Sequence, residues 1–356
     1  MRICYVLSYR APDYIRTQSL LTAIGRLPGV ECYPAINVAT SLRRYRQTLE
    51  KVAHIQKMHR PDLYVLGFRG HELYWPLRHL VGRRPIIFDA MMSPSLALAE
   101  ENQYGGIGRL ASHLIAPLEK RILHDADLVL ADTQAHVQAF IERFRLPPEK
   151  ILALPVGAVE TAPMALSPGC QSRLRVLFYG SFLPLHGFDT ILSACAELKE
   201  LPLDIDFIGT NSKVEAELRK VLGRTGQLRY RTRRWIPFSD IVQHELPSTD
   251  LCLGGPFGNT PQGRRVITGK TAQAMAQAVP TIVGETVNSM PFIHQKNCLY
   301  VPQGHAKALS ESIAWANQNR KQLVAIGLRG QVLYRENLSL DIITKKLTHL
   351  LRRFQF

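Results

Sequence analysis

A loop that combines glycines with basic side chains follows a short apolar segment in DLCLGGPFGNTPQGRRVITGKTAQAMAQAVPTIVGE, residues 250–285. Its glycines let backbone approach a ligand closely, and Thr268 is a candidate N-cap for a helix over about 270–278. The loop contributes Arg264, Arg265 and Lys270 without an acid between them. Free N–H groups and the helix dipole both favour an anion, so this turn suits a phosphate. An ordinary strand-to-helix loop with solvated arginines explains the same pattern.

Lys270 is the strongest candidate in this loop. A cation in the first turn of a helix opposes the helix dipole, which is unfavourable unless an anion offsets it. A solvated surface lysine is the alternative, and Arg265 is either a phosphate contact or a surface arginine.

The strands and helices that position this loop can be inferred from the sequence, in which apolar strand segments alternate with helical segments. That alternation predicts an α/β fold with parallel sheets covered by helices on both faces, and ligands then bind beyond the carboxyl ends of the strands. The alternation restarts after the irregular stretch VETAPMALSPGCQSR. We therefore predict two Rossmann-like domains, residues 1–160 and 173–338, joined by a linker at 161–172 and facing each other across a cleft. A basic amphipathic helix over 339–356 is predicted to pack back on the N-terminal domain.

The composition excludes several classes of protein. The 356 residues exceed one ordinary core, and 46% hydrophobic with 21% charged residues is normal for a globular protein. No apolar run reaches the roughly 18–20 residues of a membrane-spanning helix, and MRICYVLSY has no signal-peptide pattern, so we expect a cytoplasmic protein. The six cysteines are scattered, which predicts reduced thiols rather than disulfides or metal ligands.

A net charge of +15 predicts attraction to an acidic partner. Basic residues cluster in a helix over about 42–59, around residues 224–234 and in the tail from Lys345 to Arg353. Each cluster is explained by a solvated face, and together they favour phosphorylated ligands or an anionic membrane surface. Nucleic acid is the least favoured partner, because no basic-aromatic recognition motif is present.

Several segments, taken in order, resemble retaining family-4 glycosyltransferases of the GT-B fold. RVLFYGSFLPLHGFDTIL resembles the start of their nucleotide-binding domain, and DIDFIG resembles the next strand. GKTAQAMAQAVPTIV resembles the segment usually written N-K-v-y-E-a-m-A-x-G-x-P-v-I. ADLVLADTQAH and ILALPVGA resemble the last two strands of the acceptor domain, so the resemblance spans most of the chain.

The resemblance implies a hexosyltransferase that uses a nucleoside diphosphate–sugar, usually a uridine one, bound by the C-terminal domain. The acceptor, a sugar or lipid-linked intermediate of polysaccharide assembly, would lie against the N-terminal domain. Neither a cofactor nor a metal is expected, because basic residues and helix N-termini neutralise the leaving diphosphate.

The chain departs from the family pattern at the donor site. Ser181 and His186 stand where the family has Arg and Lys, and Gln273 replaces the glutamate that binds the ribose. Eight residues earlier, Arg265 replaces the other glutamate, whereas Lys270 matches the family lysine. The departures fit either a divergent enzyme or a non-catalytic nucleotide-binding or scaffold protein.

The resemblance assigns roles to residues on both domains. Asp89, at the end of the strand IIFDA, is a catalytic candidate with Lys270 and Arg265, although capping a loop explains Asp89 equally. The donor-binding candidates are Gly180, Ser181, His186, Gly187, Gly258, Asn259, Thr260, Arg264 and Gln273. The acceptor-binding candidates are Arg10, Tyr14, Arg16 and His71. Asp132 and Thr133 are expected to cap locally.

Overall fold

Two parallel sheets organise the chain. A computed structural model describes residues 1–101, 105–161, 172–223, 226–288 and 290–354. One unit comprises Met1–Gly157 with Leu340–Phe356, and the other comprises Ala158–Ser339. The predicted linker lies outside the described residues except for its two ends, and so does Arg224 of the second basic cluster.

The N-terminal unit contains a six-stranded sheet with the order β2-β1-β3-β4-β5-β6, and each neighbouring pair is parallel. Its strands are β1 (Arg2–Leu7), β2 (Glu31–Ile36), β3 (Leu63–Leu66), β4 (Ile86–Met91), β5 (Leu128–Ala131) and β6 (Ile151–Ala153). Its first helices are α1 (Ile15–Gly25), α2 (Arg43–His59), α3 (Tyr74–Val81), α4 (Pro94–Glu100), α5 (Gly105–Asp125) and α6 (Gln134–Phe144).

The central strands of this sheet are apolar apart from Asp89 of β4, because helices cover both faces. Strand β2 contains a proline, a residue that local sequence patterns associate with a break in a strand. Pro34 lies within β2, and β2 is the edge strand, where a residue without an N–H can face the unpaired side.

The C-terminal unit contains a second six-stranded parallel sheet with the order β12-β11-β10-β7-β8-β9. Its strands are β7 (Leu174–Tyr179), β8 (Leu203–Ile208), β9 (Arg229–Arg233), β10 (Leu251–Leu253), β11 (Thr281–Gly284) and β12 (Leu299–Val301). Its helices are α7 (Phe188–Glu197), α8 (Ser212–Leu222), α9 (Phe238–Asp240, continued by a π-turn at Ile241–Glu245), α10 (Pro261–Arg265), α11 (Gly269–Ala276), α12 (Ala306–Gln318) and α13 (Arg320–Asn337).

The last helix, α14 (Leu340–Leu351), belongs to the N-terminal unit. Its apolar side chains Ile343 and Leu347 join a buried cluster with Leu20 and Ile24 of α1. The apolar spacing of this segment therefore buries one face against α1, which explains why the final residues are part of the fold.

The strand orders locate the crevices of both sheets. In the C-terminal unit the chain runs from β7 outward to β9 and from β10 outward in the other direction to β12, so the order reverses between β7 and β10. Ligands of open α/β sheets bind beyond the carboxyl ends of the strands at such a reversal. The segments that follow β7 and β10 are the glycine turn from Gly180 and the loop from Gly254.

Candidate functional site

Lys270 is a buried cation at this reversal point. It lies in the first turn of α11, and its side chain is only 6% exposed. Its ammonium nitrogen is 5.2 Å from the centre of the Phe178 ring on β7. Burial lowers the pKa of Lys270 from 10.5 to about 8, and among the described residues no carboxylate contributes to that shift. The structure thus holds a cation without an acidic partner, which is costly unless an anion arrives.

The N-terminus of α11 is fixed onto the loop after β10. The Thr268 hydroxyl accepts from the Thr271 N–H (3.2 Å) and donates to the Gly254 carbonyl (2.7 Å), so it is the N-cap that the sequence predicts. Gly269 and Lys270, the first two residues of the helix, have no intrahelical acceptor for their N–H groups. The positive end of the helix dipole and the lysine therefore lie in the same turn of α11.

The turn after β7 lies against Lys270. A Cβ on Gly180 would be 3.5 Å from the Lys270 Nζ and 3.9 Å from the His186 ring, and Gly180 has a φ of +126° that favours glycine. His186 Nδ1 bonds the Ser181 carbonyl, so that nitrogen carries the proton and Nε2 is left as an acceptor on the neutral ring. Burial and the Lys270 charge lower the pKa of His186, so its ring is neutral. His186 therefore does not supply the positive charge of the basic residue that the resembled family has at this position.

Gly187 and Gly258 join the two loops by backbone contact. A Cβ on Gly187 would be 2.3 Å from the Gly258 nitrogen, and one on Gly258 would be 1.9 Å from the Pro184 carbonyl oxygen. The Gly258 N–H donates to the Leu185 carbonyl over 3.0 Å. The N–H of Gly258 is therefore bonded to the neighbouring turn in this structure, and its donor-binding role stays a prediction.

Asn259, Thr260 and the two arginines form a second group on the loop after β10. Thr260 caps α10 through the Gly263 N–H (2.9 Å), and its own N–H bonds the Gly258 carbonyl. Arg264 is exposed and donates to the Asn259 side chain over 2.7 Å, whereas Arg265 is half-buried. These contacts are local, so the phosphate role of this group stays a prediction.

The Gln273 side chain bonds the backbone of Val159, and its predicted ribose contact stays a prediction. Its side-chain oxygen accepts from the Val159 N–H (2.8 Å), and its side-chain nitrogen donates to the Val159 carbonyl (3.0 Å). The side chain is fully buried. A ribose could reach this amide only if both bonds broke, so in this structure Gln273 anchors the segment at Val159.

Asp89 and Arg16 satisfy each other inside the N-terminal unit. Both are fully buried, and the Arg16 guanidinium contacts the carboxylate at 2.7 and 3.0 Å while donating to the carbonyls of Leu154 and Pro155. The pair links α1, β4 and the segment after β6. Neither side chain is exposed in this structure, and the catalytic role of Asp89 and the acceptor role of Arg16 stay predictions.

The other acceptor candidates have varied surroundings. His71 is largely buried, with its Nε2 3.7 Å from the Glu119 carboxylate of α5, and burial lowers its pKa to about 3. Tyr14 is half-buried and stacks on Phe68 with ring centres 5.4 Å apart. Arg10 is exposed. Tyr14 lies near the reversal between β1 and β3, which keeps it a candidate for acceptor contact.

The sequence reasoning missed Phe178, Phe68 and Glu119. Phe178 looks like an ordinary apolar strand residue, and only the pairing of β7 with β10, on which α11 packs, places its ring near Lys270. Asp132 also differs from the expected cap: it bonds the His136 ring, while Thr133 caps α6 through the His136 N–H. The i, i+4 spacing of Asp132 and His136 was a readable signal for that pair.

Within the described residues, no group of three or more His, Cys, Asp or Glu side chains is placed to hold a metal ion. The five cysteines in that part of the chain are free thiols. None of the helices described above combines the length and the apolar character that a bilayer-spanning segment needs.

Two Rossmann-like units with these parallel sheets, joined in a single chain, define the GT-B fold, and the chain has that fold. Solved structures of GT-B glycosyltransferases match it over nearly its whole length. The chain matches no protein-family model, and no curated protein matches its sequence.

Three of these structures illustrate the likeness. Sucrose-phosphate synthase from Thermosynechococcus elongatus is 15% identical, with 99% of this chain and 98% of that chain covered and a TM-score of 0.73. HepE from Anabaena in complex with UDP-glucose is 14% identical, with 99% and 100% covered and a TM-score of 0.72. A glycosyltransferase from Rickettsia africae is 12% identical, with 99% and 98% covered and a TM-score of 0.66. At these identities the likeness shows the fold alone.

Proposed function

We propose that this protein is a retaining, family-4-like glycosyltransferase that moves a sugar from a UDP-sugar to an acceptor hydroxyl. The observation that carries the proposal is Lys270, a buried cation without a carboxylate partner among the described residues, at the N-terminus of α11 and at the strand reversal of a GT-B unit. The complex of HepE with UDP-glucose supports a uridine donor.

In this proposal the diphosphate lies against Lys270 and the first N–H groups of α11. Transfer breaks the bond between the sugar C1 and the diphosphate oxygen and forms a bond from C1 to the acceptor oxygen on the same face. The donor phosphate oxygen takes the proton of the acceptor hydroxyl. Lys270 and the helix N-terminus stabilise the charge that grows on the leaving diphosphate, which makes a metal unnecessary.

His186 complements this role as a neutral group. Because its Nδ1 is bonded to the Ser181 carbonyl, its Nε2 is suited to accept a hydrogen bond from a hydroxyl of the donor sugar. The acceptor is proposed to be a sugar or a lipid-linked intermediate near Tyr14, at the strand reversal of the N-terminal unit.

A non-catalytic nucleotide-binding protein is the second candidate. The engagement of Gln273 by Val159 and of Asp89 by Arg16 favours it, because two polar groups that the resemblance offers to substrates are used for structure. Such a protein would still bind a nucleotide at Lys270.

The test is donor turnover by the purified full chain. The protein is incubated with UDP-, GDP- and ADP-sugars, and release of the nucleotide is measured together with binding by calorimetry. We expect slow hydrolysis or transfer with a UDP-sugar, with the released sugar initially in the α configuration if the donor is an α-linked sugar. Binding of UDP without turnover of any donor would favour the second candidate, and absence of both would contradict the two proposals together.

A further inference from the structure

Helix α5 has an inverted burial pattern from Ile107 to Leu118. A surface helix normally buries its large apolar side chains and exposes polar ones. In this half of α5 the buried positions are Gly108 and Ser112, which are small. The large apolar side chains face outward, with exposed fractions of 79% for Ile107, 64% for Leu110, 69% for Leu114 and 56% for Leu118. After Leu118 the ordinary pattern returns, and Ile122 and Leu123 are buried.

The four exposed side chains form one continuous surface. Their spacing of three, four and four residues places them in a stripe about 80° wide along roughly three turns of helix. Single exposed apolar residues need no explanation, whereas a contiguous apolar stripe marks a surface that another body covers. Because the residues on the buried side are small, the backbone of α5 packs closely on its neighbours. The apolar stripe then lies on the outer surface of the helix.

The charges around the stripe identify the covering body. Residues 105–118 contain Arg109 and His113 and no acid, Lys120 and Arg121 follow directly, and Glu119 is buried. The whole chain has a net charge of +15. A second copy of this chain would place these positive charges next to one another. A purely apolar protein partner would leave the basic residues without a partner charge. An anionic lipid surface matches both the apolar stripe and the basic rim.

We infer that the stripe Ile107–Leu110–Leu114–Leu118 inserts into the interfacial region of an anionic bilayer, with Arg109, His113, Lys120 and Arg121 at the headgroups. Helix α3, which contacts α5 through the Tyr74–Asp125 hydrogen bond, presents Trp75 with 44% of its surface exposed. Indole rings favour the same membrane depth, which makes Trp75 a second candidate for contact with the headgroup region.

This inference differs from the one that the sequence favours. The basic helix α2 carries more charge, but it is polar around most of its surface, and only Thr48 and Val52 are buried. It can attract an anionic surface, yet it offers no apolar stripe for insertion. The inference is independent of the donor chemistry, so it can fail without affecting the proposed function.

The test is sedimentation of the full chain with vesicles of phosphatidylglycerol and phosphatidylcholine in equal parts, compared with vesicles of phosphatidylcholine alone. We expect binding to the mixed vesicles, weakened by high salt, and at least a tenfold weaker partition for the double variant Leu110→Ser/Leu114→Ser. The matched control is Leu328→Ser/Val332→Ser, which alters an exposed apolar pair of the same spacing on α13. It should bind as the parent does.

Four outcomes would overturn the inference. One is that the parent does not bind anionic vesicles, and another is that the α5 variant binds them as well as the control does. Binding that is lost in Arg43→Glu/Arg46→Glu but kept in the α5 variant would assign the contact to α2 instead. A concentration-dependent dimer that the α5 variant abolishes, without vesicle binding by the parent, would assign the stripe to self-association.

Discussion

The ammonium group of Lys270 lies over the ring of Phe178, 5.2 Å from its centre. The negative face of an aromatic ring attracts a cation, and this contact offsets part of the cost of burying the charge. It leaves the hydrogen-bond capacity of the ammonium group free for a ligand. Within the described part of the chain no acid pairs with this lysine, so its charge is available to an anion.

We predict that Lys270 destabilises the unliganded protein below about pH 8. Its folded pKa is about 8 against an ordinary value of 10.5, so between these values the unfolded chain binds more protons and stability rises with pH. Lys270→Met should unfold at higher urea than the parent at neutral pH, and the parent should regain up to ~3 kcal/mol relative to the variant by about pH 10.5. The difference between the two proteins cancels the titration of other groups. A stability difference that does not change with pH, or a variant that is less stable at neutral pH, would contradict the assignment.

Asp89→Asn should reduce the free energy of unfolding by about 3–5 kcal/mol, because it leaves the buried Arg16 charge without its partner. Urea denaturation measures this change. The control is Asp341→Asn, which breaks the exposed pair with Arg26 and should cost less than about 1 kcal/mol. If Asp89→Asn kept full stability and lost only turnover, Asp89 would be catalytic after all.

Gln273→Glu introduces the glutamate found at this position in the family that the sequence resembles. The variant separates the structural bonds to Val159 from the predicted ribose contact. A carboxylate accepts from the Val159 N–H but cannot donate to the Val159 carbonyl, so we expect a loss of about 1–3 kcal/mol in stability and no gain in UDP affinity. Urea denaturation and a UDP titration measure the two effects. Gln322→Glu, at an exposed position in the first turn of α13, is the control. Tighter UDP binding by Gln273→Glu at unchanged stability would support the ribose role instead.

Gly258→Ala should separate the two loops of the candidate donor site. Its Cβ would lie 1.9 Å from the Pro184 carbonyl oxygen, which is backbone and cannot move aside without the turn. We expect a loss of about 2 kcal/mol or more in stability and weaker nucleotide binding. Gly25→Ala, where a Cβ meets open space at the end of α1, should cause no loss. Equal stability of the two variants would show that the loop contact is dispensable.

The fold was readable from the sequence because parallel sheets leave a strong local signal. Buried strands such as β5 are apolar throughout, and the restart of the alternation near residue 173 predicts a second sheet. Strand β2 could not be predicted, because Pro34 argues against a strand and the local sequence does not show that β2 lies at the edge of the sheet.

The candidate site was readable only in part. Lys270 could be singled out because its conflict with the helix dipole depends on local sequence. The commitments of Asp89 to Arg16 and of Gln273 to Val159 join residues 73 and 114 positions apart, and local patterns do not report such contacts. Polar residues at the ends of strands are therefore the predictions that most need a structure.

The most direct test of the account is a calorimetric titration of UDP into the parent, Lys270→Met and Lys307→Met, the last altering an exposed lysine on α12. A charge-assisted contact contributes about 1.5–3 kcal/mol, so Lys270→Met should bind UDP roughly 10- to 100-fold more weakly than the parent. Lys307→Met should bind UDP as the parent does. Equal UDP affinity of the parent and Lys270→Met would contradict the central claim that the buried lysine of α11 holds the donor diphosphate.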